Sequence, residues 1–324
     1  MRRSDKLLQH FHGGLDGWHH GDLSMTETRT GWTRRHFLMT GLGMAGAYGL
    51  GLKTPDVLAW IDERSIRRAM AAVLPEEPVD TGIRFADAVA RLVAAGAIDV
   101  EKFTKAHADR GPLPAWVIDV LEGRPRTVVL ATDTASYLLH LLWPMGLATK
   151  AAFNDQSPMR RPDLPSFAST GGWTLGKAKN GAVYFNSVET VVLDETANAA
   201  VRQAAEQTFR PCCNNSTFFQ DCNHGSAMLG LFELAAAQGF NHDELLTLAK
   251  QANGYWYPQQ YVEMALWYDL GQGKSWDEAA PAETVSFQMA SASGWQKVVH
   301  ADLIRRGVVP ASRDNGGRGG GCAV

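Results

Sequence analysis

The stretch from Thr134 to Leu147, which reads Thr-Ala-Ser-Tyr-Leu-Leu-His-Leu-Leu-Trp-Pro-Met-Gly-Leu, is apolar on almost every side. A helix with no polar face must be covered all round, and the natural cover is a bundle of other helices. The remaining sequence supplies that cover. Thr54-Pro55-Asp56 places an N-cap residue before a proline at the first helical position. Val57, Leu58, Ile61, Ile66 and Met70 then carry an apolar stripe to about Leu74. After the break at Pro75 and Pro78, Phe85, Val89, Leu92 and Val93 recur at helical spacing until Gly96. Asp99 suits the N-cap of a helix holding Val100, Phe103 and His107, and Pro114 opens another through Leu121. Helical patterns resume at Glu195, with Ala199, Val201, Ala204 and Phe209 on the inner side, and continue at 221–238, 242–253, 257–270 and 291–306.

Strand signals are few. Thr127 to Ala131 is a short β-branched run. Asn180-Gly181, set between Trp173–Lys177 and Ala182–Asn186, predicts a hairpin with a tight turn, and 188–193 offers a third strand. Residues 154–172, rich in Pro, Ser and Gly, predict a long surface loop. The expected fold class is mainly α: one helical domain over 54–310 with a small antiparallel β-hairpin insert near 173–193. An N-terminal extension covers 1–53, and 311–324 is a flexible glycine-rich tail carrying Cys322. No fixed-period repeat occurs, which argues against a solenoid.

The segment Thr33-Arg34-Arg35-His36-Phe37-Leu38 precedes a weakly apolar, glycine-rich run to Leu52. It resembles a twin-arginine (Tat) export signal, whose pattern of Ser/Thr-Arg-Arg-x-Phe-Leu is met at Arg34, Arg35, Phe37 and Leu38. The resemblance implies the twin-arginine translocation machinery as a partner and a periplasmic destination. The signal would be cleaved after Ala47, by the small-x-small rule at Ala45-Gly46-Ala47, or kept as an uncleaved N-terminal anchor. Because that route moves folded proteins, it also raises the expectation of a cofactor inserted before export. Met25 opens a leader of conventional length, so translation starts at Met1 or at Met25. His10, His12, His19 and His20 lie upstream of it and read as a metal-collecting tract or as an extension without a role in the mature protein.

Lys plus Arg number 31 and Asp plus Glu 34, a net charge of −3, so no basic excess points to nucleic acid. The chemistry concentrates instead in Arg210-Pro-Cys-Cys-Asn-Asn-Ser-Thr-Phe-Phe-Gln-Asp-Cys-Asn-His-Gly225. Cys212, Cys213, Cys222 and His224 fall within 13 residues of one another there. Thiolate and imidazole are ligands for Cu, Zn and Fe, and three sulfurs with one nitrogen suit a tetrahedral ion. The spacing is not that of a zinc finger, and adjacent cysteine side chains tend to diverge. Asp221 is the expected N-cap of the following helix. That places Cys222 in its first turn, where backbone N–H groups and the helix dipole favour a thiolate.

Three functional readings follow. The first is an exported metal-binding protein, either a redox enzyme or a metal-handling protein, whose ligands are Cys212, Cys213, Cys222 and His224, with Cys322 as an auxiliary ligand or thiol. The second is a non-enzymatic exported binding or structural module with disulfide-bonded cysteines. The third is a thiol–disulfide enzyme, with Cys222 and a Cys322 brought in by the C-terminal arm as catalytic candidates. Of the remaining residues, His140 reads as a core histidine, whereas His107, His242 and His300 read as surface residues near helix ends. Glu233 and Glu263 read as members of solvated helix faces. Tyr255, Trp256, Tyr257, Tyr261, Trp267 and Tyr268 read as core packing, with a pocket lining as the alternative. No P-loop, Gly-x-Ser-x-Gly elbow, His-Glu-x-x-His or Cys-x-x-Cys-His motif occurs.

Overall fold

The computed structural model describes residues 63–167, 173 and 175–309. The export signal at Arg34, Arg35, Phe37 and Leu38, the cleavage position at Ala47, the N-terminal histidines and Cys322 all lie outside the described residues. The fold is mainly helical, as the apolar patterning predicts. Its principal helices are α1 (Glu63–Val73), α2 (Ala88–Ala95), α3 (Val100–Ala106), α4 (Ala115–Leu121), α5 (Ala135–Ala148), α6 (Glu195–Gln207), α7 (Asn223–Ala236), α8 (His242–Trp256) and α9 (Pro258–Gln272). The closing segment runs from Ala292–Trp295 through a π-helical turn at Gln296–His300 to Ala301–Arg305. Among the described residues, no helix is long and apolar enough to cross a membrane.

α5 is the all-apolar helix, and from Tyr137 to Ala148 it is buried throughout. Its partner is α7, buried along its whole length. Glycine makes their close approach possible: a Cβ at Gly146 would fall onto the Ser226 carbonyl, and one at Gly230 onto the Leu142 carbonyl. The Ser226 hydroxyl donates to the Trp143 carbonyl at 2.9 Å, so a side-chain hydrogen bond also ties the pair together. Local capping follows the sequence where the signal is strong. Asp99 accepts from the Lys102 N–H, Asp194 from the Ala197 N–H, and Asn241 forms a capping box with Glu244.

Among the described residues the β structure is a single antiparallel pair, and it does not lie where the hairpin signal placed it. β1 (Val79–Arg84) pairs with β2 (Thr127–Leu130), with Val79 opposite Leu130 and Arg84 opposite Thr127. Over 173–193 the described residues hold no strand, only a 3₁₀ turn at Gly181–Tyr184 and one isolated bridge from Thr149 to Val188. Asn180 caps that turn by accepting from the Ala182 N–H, so the Asn-Gly pair serves as a helical cap and not as a reverse turn.

Two apolar clusters form the core. The larger is built on α5, α7 and their neighbours. The smaller joins α1, α9 and the closing segment, and includes Tyr257, Tyr261 and Tyr268. The segment between α6 and α7 runs from one cluster to the other, because Phe218 belongs to the larger and Cys212 packs against the smaller.

Candidate metal centre

The cysteine segment is fastened at several points. Phe209 donates its N–H to the Val285 carbonyl (2.7 Å), Thr217 to Thr208 (2.8 Å), Phe218 to Ala205 (3.0 Å), and Ala292 to Cys213 (2.9 Å). Within this frame the donor sulfurs of Cys212, Cys213 and Cys222 all lie within 4.8 Å of one another. The sulfurs of Cys212 and Cys222 are 3.8 Å apart, and no disulfide joins the described cysteines.

Cys222 is itself the N-cap of α7, with extended backbone angles and a sulfur that accepts from the Gly225 N–H at 3.4 Å. This corrects the expectation that Asp221 would cap the helix. Asp221 turns away to accept from Asn215 and from the Arg210 guanidinium.

Arg210 organises the site, and sequence reasoning assigned it no role. Its side chain is 1% exposed, yet every arm is used. Nε donates to Cys222 Sγ (3.1 Å), Nη1 to the Asn215 carbonyl (3.0 Å), and Nη2 to Asp221 Oδ1 (3.0 Å) and the Phe219 carbonyl (3.4 Å). A buried cation is tolerated only with such compensation. Burial works against the charged guanidinium, and the Cys222 sulfur beside it is the largest opposing influence, so Arg210 keeps its proton. Gly225 is required at its position because a Cβ there would run into this guanidinium. The only sequence signal was an arginine preceding adjacent cysteines with a glycine on the next helix turn, and neither feature alone reveals a buried cation.

Tyr257, the residue between α8 and α9, donates its hydroxyl to Cys212 Sγ at 3.0 Å, and burial holds that phenol well above its ordinary range. Its two sulfur neighbours, and then burial, likewise hold the Cys213 thiol high. Burial raises the Asp221 carboxyl against the opposing pull of Arg210.

His224 packs against Tyr257. Its ring lies 4.8 Å from the Tyr257 ring and 6.2 Å from that of Trp256, and Nδ1 meets Asn223 Oδ1 at 2.9 Å. An amide oxygen only accepts, so Nδ1 carries the proton and Nε2 keeps the lone pair. Burial lowers the imidazole to about 4. The structure brings the three sulfurs into one group, and His224 is not among the donors of that group.

The other singled-out residues distribute unevenly. His140 is a core histidine as expected, but His107 is fully buried and its Nε2 lies 2.9 Å from His140 Nδ1. Glu233 is fully buried on α7 and raised by burial, so it is held neutral. Glu263 is buried too and accepts from His300 Nδ1 at 2.8 Å and from Gln259 at 3.1 Å. Both carboxyls therefore differ from the expected solvated faces. Among the aromatic residues, Tyr255, Tyr257, Tyr261 and Tyr268 are core.

The chain matches no protein-family profile, no curated protein and no solved structure.

Proposed function

We propose that this chain is an exported protein that holds one thiophilic transition-metal ion, Cu, Zn or Fe, on Cys212, Cys213 and Cys222. The observation that carries this reading is the convergence of three sulfurs from two ends of one loop to within 4.8 Å. The donor set fits the group. With metal–sulfur bonds of about 2.3 Å, two sulfurs on a tetrahedral ion stand about 3.8 Å apart, and Cys212 and Cys222 already stand 3.8 Å apart. Charge fits as well: three thiolates around a divalent ion leave one net negative charge, and Arg210 places a positive one in contact with Cys222. The loop is held by this guanidinium and by backbone bonds without a disulfide, which is why a stapled structural module is the weaker reading.

The residues divide the work. Cys212, Cys213 and Cys222 would hold the ion, and the ion when bound would supply Lewis acidity or electron transfer. Arg210 and the Gly225 N–H orient the Cys222 sulfur, and Tyr257 orients that of Cys212. His224, with Nε2 left as a lone pair, remains the candidate imidazole of the site. The redox-enzyme and metal-handling forms of the proposal share this centre.

The test is elemental analysis by plasma mass spectrometry, with thiols counted in the same sample, on protein purified without chelators or a histidine tag. A chain beginning at Met25 removes His10, His12, His19 and His20 from the count. About one equivalent of metal is expected, falling to background in Cys222→Ser. A metal-free protein after reconstitution, or full occupancy in the variant, overturns the reading.

A further inference from the structure

Within the group of three sulfurs, one pair has fixed donors on both members. Cys212 Sγ and Cys222 Sγ lie in contact at 3.8 Å, and each is fixed by its own donors. The Tyr257 hydroxyl holds the first, while Arg210 Nε and the Gly225 N–H hold the second. The Cys213 sulfur lies within 4.8 Å of both and also donates toward the Asn215 carbonyl at 3.9 Å, so it competes for either partner while the other two already hold fixed positions. Exposure also separates the pair, for Cys212 is half-buried and Cys222 is 4% exposed.

From these contacts we infer that Cys212 and Cys222 form a redox pair whose closure to a disulfide removes two of the three metal donors, so that oxidation shuts the site. The inference rests on the metal reading above and adds its regulation. The oxidant is a low-molecular-weight disulfide, RSSR. The half-buried Cys212 thiolate attacks one of its sulfurs, forming Cys212–S–SR and expelling RS⁻. The Cys222 thiolate, already in contact, then attacks Cys212 Sγ and expels the second RS⁻. One Cys–Cys bond forms and the S–S bond of RSSR breaks. Two electrons pass from the cysteines to the reagent, and the two thiol protons end on the released thiols. The contacting sulfurs need to approach from 3.8 Å to a bonded separation of about 2.05 Å.

The experiment treats the full-length, metal-free, reduced protein with oxidised glutathione, alkylates the remaining thiols, and maps the bridge by peptide mass spectrometry. A Cys212–Cys222 bridge with Cys213 and Cys322 alkylated is expected, and it should persist in Cys213→Ser. Prior loading with Zn²⁺ should slow closure about tenfold or more, and the bridged protein should lose Zn²⁺ uptake. A bridge to Cys213 or Cys322, a glutathione adduct that never resolves, or a bridged protein that still takes up Zn²⁺ overturns the inference. A correct bridge in a protein whose reduced form takes up no metal supports the redox pair and removes the metal reading instead, so the two failures are distinct.

Discussion

Among the described residues, the buried ionisable groups around His107 and His140 and those around Arg210 solve the same problem in opposite ways. Around His107 and His140 the solution is neutrality. The imidazoles share one hydrogen bond within an aromatic shell of Phe103, Tyr137 and Trp143. Burial lowers His107 to about 4 and His140 to about 3, so neither carries charge at neutral pH. Around Arg210 the solution is compensation, for the guanidinium remains charged and draws a sulfur, a carboxylate and two carbonyls to itself. The neutral pair shapes a core, with His107 Nδ1 buried and unpaired. The compensated cluster collects anionic donors, and that is the condition under which a metal ion is welcome.

The largest effect expected from breaking this contrast follows removal of the cation. Arg210→Met takes the guanidinium from Cys222, Asp221 and two loop carbonyls, leaving Asp221 with Asn215 and Cys222 with the Gly225 N–H as donors, and should cost about 3–5 kcal/mol. Arg210→Lys keeps the charge but cannot span the same acceptors, so it should recover less than half of that. Urea unfolding of the three proteins measures both. An Arg210→Met protein as stable as the parent would mean that the guanidinium does not hold the loop.

The next effect tests neutrality through pH. The folded values for His107 and His140 lie below the unfolded value of 6.5, so their contribution is complete above pH 6.5 and lost as pH falls from there toward 4. The facing groups are Arg110, which reinforces the shift, Asp109, which opposes it at His107, and His224, which reinforces it at His140. The loss between pH 7 and pH 4 should be on the order of 3 kcal/mol for each imidazole, about 6 kcal/mol for the pair. The double variant His107→Leu/His140→Phe should flatten it while staying within about 1 kcal/mol of the parent at pH 7. The difference between the two unfolding profiles isolates the pair from the carboxylates and from His224. Profiles that run parallel would show that the pair is not neutral in the folded state.

The same contrast explains what could be read from the sequence. α5 was legible because an all-apolar run states its own burial, and Asp99 was legible because a cap is a local interaction. The three cysteines were legible as a group, since chain proximity alone keeps them near one another. What escaped depends on distant partners. β1 alternates Val79, Thr81 and Ile83 but is short, exposed at every second residue and broken by Gly82, and it exists because β2 pairs with it from more than 40 residues away. His107 stands at a helix end, an address suited to the surface, and is buried because His140 meets it there. Glu263 looked like a solvated carboxylate until the π-helical turn brought His300 onto it. The Asn180-Gly181 signal failed for another reason, because the amide that stabilises a tight turn caps a 3₁₀ turn equally well. Arg210 combined both difficulties, since its acceptors include two backbone carbonyls, which no side-chain pattern announces.

The smallest effect asks whether the compensated cluster is separate from the imidazoles next to it. Tyr257 touches both sides, with its hydroxyl 3.0 Å from Cys212 Sγ and its ring 4.8 Å from that of His224. Tyr257→Phe removes the hydrogen bond and leaves the ring in place. The stability lost should be about 0.5–1.5 kcal/mol, since the hydroxyl donates to a sulfur and nothing else is left buried without a partner. Its effect on acid unfolding should be nil, because His224 is kept neutral by burial, and a phenyl ring buries it as well as a phenol does. Unfolding followed from pH 7 to pH 4 reads both quantities at once. A uniform downward shift with unchanged slope places the hydroxyl with the sulfurs alone. A changed slope would mean that the imidazole responds to the sulfur side through Tyr257, and then the neutral and compensated clusters would have to be treated as one electrostatic unit.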